Sequence, residues 1–306
     1  MSFFFGLLLV GFVQGCLYAL IALGYTLVFG ILQFINFAHS DVVMLGAWFA
    51  WKYAQWMGVS FSVISIGTSL GILGLSVLSC AAVGFTIERL AYRPLRHAPR
   101  INILITAIGV SLFLENFTQL PYVFGSRDKA MPQLLDVYAG FDVGGVRVQY
   151  FQIITVVFAF ALMALLSLLV YRTRLGRAMR AISFDTRTAS LMGIPTGRVI
   201  AYTFVLGSAL AAAAGILTGV AFGSLSQPSS TSWIRFGLKA FICAVVGGIG
   251  SIEGAVAGGL LIGITEQLAG GYISSSYADA IVFGVLILVL MVRPSGIFGV
   301  TMREKV

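Results

Sequence analysis

Five ionisable residues stand where the surrounding sequence is almost wholly apolar: His39, Asp41, Glu115, Glu253 and Glu266. A carboxylate at the centre of a lipid bilayer costs roughly 2.5–3.5 kcal/mol on insertion scales, so an acid in an apolar run is expected to face water, a partner charge or a bound solute. His39 and Asp41, two positions apart, could relay a proton or line a binding site. The plainer alternative is a hydrogen-bonded structural histidine at an interface, near the end of the first apolar run. Glu115 and Glu266 could each pair with a neighbour. Together with Glu253 and Asp279 they could instead serve as proton or cation sites. Intramembrane catalysis is disfavoured, because the chain has only two histidines, His39 and His97, and no buried Ser/His or His/Glu set at catalytic spacing. Cys16, Cys80 and Cys243 each lie inside an apolar run and read as small packing residues, not as a disulfide or metal set.

The elements that must position these groups follow from composition. The 306 residues are 59% hydrophobic and 10% charged, against roughly 45–50% and about 25% in an ordinary soluble domain. Apolar runs lie near 3–31, 42–58, 61–87, 101–124, 150–171, 199–225, 237–268 and 277–292. Most approach the ~20 residues that carry a helix across a ~30 Å hydrocarbon core. The fold class is therefore an all-α polytopic integral membrane protein with seven or eight transmembrane helices. Met1 to Val13 has no charged n-region and runs on past signal-peptide length, so it reads as a retained transmembrane segment.

Charge sets the orientation, since Lys and Arg are retained on the cytoplasmic side. Arg89, Arg93, Arg96 and Arg100 follow the third run. Arg172, Arg174, Arg177, Arg180, Arg187 and Arg198 follow the fifth, and Arg293, Arg303 and Lys305 close the chain. Those three stretches read as cytoplasmic. The net charge of +8 is thus topological, and no aromatic-interleaved groove suggests nucleic acid. The connector Gly125–Gln149 balances Arg127, Lys129 and Arg147 with Asp128, Asp136 and Asp142, as an outer loop can. For 277–292 to end in the cytoplasm, 237–268 must go in and come back, which predicts a broken or re-entrant pair of half-helices.

Interrupted helices at membrane depth normally line a solute path, because only there are the freed backbone groups satisfied. Two interruptions are candidates. The first is Gly24-Tyr-Thr-Leu-Val-Phe-Gly30 with Gln33, Asn36, His39, Ser40 and Asp41; the second is Gly247-Gly-Ile-Gly-Ser-Ile-Glu-Gly254. From these, Asn36, His39, Gly247, Gly248, Gly250 and Glu253 are the candidate path residues. Close helix packing explains the glycines equally well, and a turn at the outer interface would leave Glu253 merely solvated.

The loop 172–198 reads as a soluble-type helix within a membrane protein. Asp185 is a candidate N-cap, Ala189 and Ser190 are small, Gly193 is a stop, and Pro195 follows. Exposed Leu191 and Met192 need burial, either in a partner's groove or on anionic lipid. No Gly-x-x-x-x-Gly-Lys-[Ser/Thr] loop is present, so nucleotide-driven work would need another subunit. A self-contained channel or ion-coupled carrier is the competing reading, and it leaves this loop without a purpose.

Motifs in one order along nearly the whole chain carry a resemblance: Leu17-Tyr-Ala-Leu-Ile-Ala-Leu-Gly-Tyr-Thr26, Ile35-Asn-Phe-Ala-His39, Glu88-Arg-Leu-Ala-Tyr-Arg-Pro94, Ala107-Ile-Gly109, Gly125-Ser-Arg-Asp128, Gly176-Arg-Ala178, Ala189-Ser-Leu-Met-Gly-Ile194 and Gly247-Gly-Ile-Gly-Ser251. The chain resembles the permeases of branched-chain amino-acid ABC importers, LivH branch. The resemblance implies a single permease domain over 1–306 in the inner (plasma) membrane of a bacterium. It implies a second permease subunit (LivM-like or another copy), two cytoplasmic ATPases and a periplasmic solute-binding protein. This chain would bind no cofactor, ATP and Mg being used by the ATPases. By the same resemblance Phe184, Asp185, Thr186, Ala189, Ser190, Leu191, Met192 and Gly193 form the helix that docks on an ATPase, and solute passes Asn36, His39 and the glycine turn. Ser40, Glu253 and Glu115 depart from the glycine, proline and glutamine expected there, which bears on solute choice: urea, short amides and aromatic acids are alternatives to neutral amino acids.

Overall fold

The computed structural model describes residues 2–34, 36–59, 65–96, 98–134 and 139–299. His97, Asp136, Arg303 and Lys305, invoked above, lie outside them, as does the side chain of Arg100. Eleven α-helices run through the described residues: α1 Ser2–Leu32, α2 His39–Trp56, α3 Ile66–Ile87, α4 Arg100–Thr118, α5 Tyr150–Arg172, α6 Arg174–Phe184, α7 Thr186–Leu191, α8 Thr196–Phe222, α9 Thr231–Gly247, α10 Ile252–Tyr272 and α11 Ser275–Val292. Seven of these, α1, α3 with its extension to Leu95, α4, α5, α8, α10 and α11, are long and apolar enough to cross a membrane. The protein is a multi-pass helical membrane protein.

The arginines mark one end of the bundle. Here α3 continues through a π turn, Glu88–Tyr92, and a 3-10 turn, Arg93–Leu95, where Glu88 is buried and paired with Arg96. The opposite end carries a hairpin of β2 Gly140–Val143 and β3 Val146–Gln149, turned through Gly144 and Gly145 at φ 58° and 82°. A short pair there, β1 Lys129–Ala130 with β4 Ser224–Leu225, ties the connector after α4 to the end of α8.

At the centre stands α1, with every residue from Gly15 to Val28 buried. A helix apolar on all sides belongs inside a bundle. Lipid gives helices no hydrophobic reason to associate, so close backbone approach must supply the packing. A β-carbon at Gly15 would lie 2.8 Å from Leu260 Cα, and one at Gly11 would lie 2.9 Å from Ile264 Cα, so α1 and α10 meet backbone to backbone. The same device joins α2 to α8, where the run Ala211–Ala214 and Gly215 meets Gly46, Val43 and Ala47.

Two interruptions behave differently from expectation. After α1 the chain turns back, and α2 begins inside the bundle with the His39 ring against Gly24, eight residues before the end of α1 and thus about 12 Å along its axis. This is the re-entrant element. The segment 237–268 is instead a pair of long helices: α9 begins at Thr231, and α10, at 21 residues, crosses fully. The expected break therefore stands, at 248–251 between the two helices, while α9 is longer than a half-helix because the apolar run omitted 231–236, which contains Arg235.

If the glycine contacts set the α1–α10 distance, Gly15→Leu overpacks it and lowers stability by about 1–3 kcal/mol or more. The melting temperature of the detergent-solubilised protein should fall, while Gly74→Leu, where a side chain meets open space, leaves it unchanged.

Candidate functional site

At the arginine-rich end, α5 leads into two short helices that leave the bundle. Thr173 caps α6, its hydroxyl accepting from Gly176 N–H at 3.1 Å, and Arg180 donates back to the Val170 carbonyl. Asp185 breaks the run and caps α7: its carboxylate accepts from Arg187 N–H at 2.8 Å and from the Thr188 hydroxyl. The Thr188 hydroxyl, followed by the backbone amides, holds the Asp185 carboxyl below the ordinary carboxylate range. The cap is therefore intact above that range and weakens as pH falls through the lowered value. Gly193, at φ 81°, ends the turn. The loop is thus two helices, not one. Phe184 closes α6, and α7 spans Thr186–Leu191.

The resulting surface is polarised. Phe184, Leu191 and Met192 are 83%, 81% and 79% exposed, whereas Ala189 is 4% exposed and faces the bundle. Three large apolar side chains are thus held exposed outside the membrane-spanning helices, where they need cover. Thr186 and Ser190 line a cavity of about 630 Å³ with Arg96, Arg187 and Tyr92.

The remaining sequence candidates gather at this same end but serve different purposes. Asn36 is buried and accepts from the Tyr92 hydroxyl at 2.6 Å. His39 is buried against Tyr25, ring centroids 4.6 Å apart. Neither lines the two cavities at this end. They close the interruption behind α1. His39 is accordingly not at the interface but inside the bundle, with Nε2 unpartnered among the described residues, as is Asp41 Oδ2.

The glycine turn reaches the arginine-rich end, neither mid-bilayer nor outer. Phe298 and Ile297 N–H donate to Gly247 and Val246 carbonyls, both at 2.9 Å, so the chain after α11 caps α9. A β-carbon at Gly247 would strike the Gly254 carbonyl, and Gly248, at φ 106°, presses on Gly299. Gly247 and Gly248 are therefore packing glycines. Gly250, at φ 97°, lines a cavity of about 660 Å³ beside Arg180, Ser183 and Phe184. Glu253 sits exposed in the first turn of α10, where a helix N-terminus favours an acid. It accepts from the Tyr171 hydroxyl at 3.2 Å, and Arg180 lies over the Tyr171 ring at 5.5 Å to its centroid.

The opposite half of the bundle holds a cavity of about 740 Å³ between α1, α8, α9, α10 and α11. Lys239 of α9 projects into it and bridges Glu266 Oε1 at 2.8 Å and Asp279 Oδ1 at 2.6 Å. Glu266 Oε2 accepts from the Tyr18 hydroxyl at 2.8 Å, which accepts from the Gln14 amide at 2.8 Å. Gln267 donates to Gln14 at 2.7 Å. Charges within spanning helices at a water-accessible cavity mark a solute or ion route by default. Lys239 went unnoticed in the sequence although the signal was there: Arg235 and Lys239 are one turn apart on an otherwise apolar helix, facing a run that holds Glu266.

The family model described as branched-chain amino acid transport system / permease component matches residues 7–290. The chain belongs to that family. The permease is 42% identical over 304 residues to the high-affinity branched-chain amino acid transport system permease protein LivH of Salmonella typhimurium, spanning 97% of this chain and 96% of that protein. A partial likeness, 28% over 132 residues, joins it to the permease protein LivM of Escherichia coli, covering 42% of this chain and 30% of that one. Among solved structures, PsaBC from Streptococcus pneumoniae in complex with Fab is similar at a TM-score of 0.47 and 14% identity, covering 97% of the permease and 92% of that chain.

The two ends can be assigned by labelling, because the native cysteines are all buried. Met192→Cys should react with a membrane-impermeant maleimide in inside-out vesicles only, and Ser226→Cys in right-side-out vesicles only. The reverse pattern would overturn the orientation.

Proposed function

We propose that this chain is the membrane-spanning subunit of an ATP-driven importer of branched-chain or other neutral amino acids in a bacterial inner membrane. The observation that carries the reading is the exposure of the large apolar side chains Phe184, Leu191 and Met192 on capped helices outside the bundle, at the end that positive charge assigns to the cytoplasm. A lipid-facing helix would bury those side chains among its own arginines' headgroup partners; a protein groove covers them while leaving the arginines free. The partner that fits is a cytoplasmic ATPase, two per complex, using ATP and Mg. This chain itself contributes no cofactor site.

The permease pairs with a second one, and the partial likeness to a LivM protein supports a related partner over a second copy. A periplasmic solute-binding protein would deliver cargo to the outer cavity. ATPase closure displaces α6 and α7, and the Arg180–Tyr171–Glu253 contact carries that displacement to the turn between α9 and α10. The cavity that holds Lys239 then opens and closes as those helices rock. Docking rests on Leu191, Met192 and Phe184, with Asp185, Thr186, Ala189, Ser190 and Gly193 shaping the helix beneath them.

The test is uptake of labelled leucine into proteoliposomes holding the whole complex and its binding protein. ATP-dependent uptake supports the importer; uptake driven by an ion gradient without ATP replaces it with a carrier. Leu191→Glu with Met192→Glu should cut uptake at least tenfold while the chain still inserts and pairs. Normal uptake in that variant would remove α7 from the docking surface. Asp185→Ala should act in the same direction and Asp185→Asn less, since asparagine keeps a capping oxygen.

A further inference from the structure

We infer that the Lys239–Asp279 ion pair is the recognition element for a zwitterionic solute, held closed by its own two charges until the solute's two charges replace them. The inference rests on the importer reading and adds to it the residues that distinguish an amino acid from an uncharged amide.

The charged network in the outer cavity is uneven, and the unevenness assigns the roles. Glu266 is fully engaged: Lys239 holds one oxygen at 2.8 Å and Tyr18 the other at 2.8 Å, with Gln14 and Gln267 behind it. Its side chain is 11% exposed. Asp279 is different, with a side chain 41% exposed to the cavity and Lys239 Nζ at 2.6 Å. Glu266 therefore fixes where the lysine stands, and Asp279 is the member that can be released.

An α-amino acid carries an ammonium and a carboxylate on one carbon. Placed between Lys239 and Asp279, its ammonium takes over Asp279 and its carboxylate takes over Lys239. The number of opposite-charge contacts does not fall, and no charge is left bare in the low-dielectric cavity. A lone carboxylate at Lys239 would leave Asp279 unpaired, a lone amine at Asp279 would leave Lys239 with Glu266 alone and one contact fewer than the zwitterion makes, and a urea-like solute offers only dipoles. Discrimination of this kind comes from groups left unpaired by the wrong ligand. Leu7, Phe222 and Phe236 supply the apolar wall that an aliphatic side chain requires.

A purely structural ion pair can be replaced by well-packed apolar residues without loss; a recognition pair cannot. The deciding variant is therefore Asp279→Leu, which leaves the Lys239–Glu266 bridge in place, compared with the wild type in proteoliposomes containing the full complex, one binding protein and labelled leucine. Because the binding protein is the same in all arms, any difference belongs to the permease. Asp279→Leu should be recovered with its partners at wild-type yield and melting temperature, with uptake reduced at least tenfold. Uptake within twofold of wild type overturns the assignment. Should Asp279→Leu fail to assemble, Asp279→Asn, nearly identical in shape, decides by the same criterion. If the wild type itself shows no ATP-driven uptake of leucine, the importer reading falls; if the wild type transports and the variants transport equally, only the ion-pair assignment falls.

Discussion

The structure depends on the backbone-to-backbone contact of α1 with α10. In lipid, apolar side chains gain nothing by turning inward, so a helix can be enclosed on all sides only where its neighbours come close enough for dispersion contacts to accumulate. Gly11 and Gly15 on α1, facing Gly259 and Gly263 on α10, remove the side chains that would hold the two apart. That approach brings Tyr18 within reach of Glu266, and through it sets the position of Lys239. A cavity charge is thus aligned by a glycine contact that touches no solute.

Enclosure of α1 also explains where the chain is interrupted. Once α1 occupies the axis, a connector behind it must satisfy its polar groups from within the protein. Asn36 does so through Tyr92, and His39 fits only because Gly24 leaves room for its ring. The turn between α9 and α10 solves the same problem at the opposite flank by borrowing N–H donors from residues 297 and 298. Both interruptions are stabilised locally, but their partners lie 56 and about 50 residues away.

Those separations set what could be read from the sequence. The spans were legible because run length is a one-dimensional property, and α1, α3, α5, α8 and α11 lie close to the apolar runs. The cap at Asp185 and the stop at Gly193 were legible because capping operates within a few residues. Depth was not. His39 was expected at an interface because it is polar, and Tyr92, which makes the interior habitable for its neighbour Asn36, is invisible to any local rule. The glycine turn was expected at membrane depth because glycine suggests a break, but its position is fixed by contacts with Tyr171 and residues 296–299. The Lys239 cluster joins three helices across 27 residues of sequence and more, so each acid looked like an isolated oddity.

Among the helices that run between the two ends of the permease, α9 and α10 connect the cavity charge to the glycine turn. Lys239 lies at the middle of α9, and Gly247 at its end is locked to Gly254 and capped by the segment after α11. No flexible linker intervenes between the cavity charge and the turn that shares its surroundings with α6. Helices transmit displacement along their axes because their hydrogen bonds are internal and saturated, whereas a loop would absorb it. The glycines at 247 and 248 therefore do more by being small than by being mobile. They pack the turn tightly, and in the proposed mechanism a shift of α6 against Tyr171 would reach Lys239 through joint movement of α9 and α10.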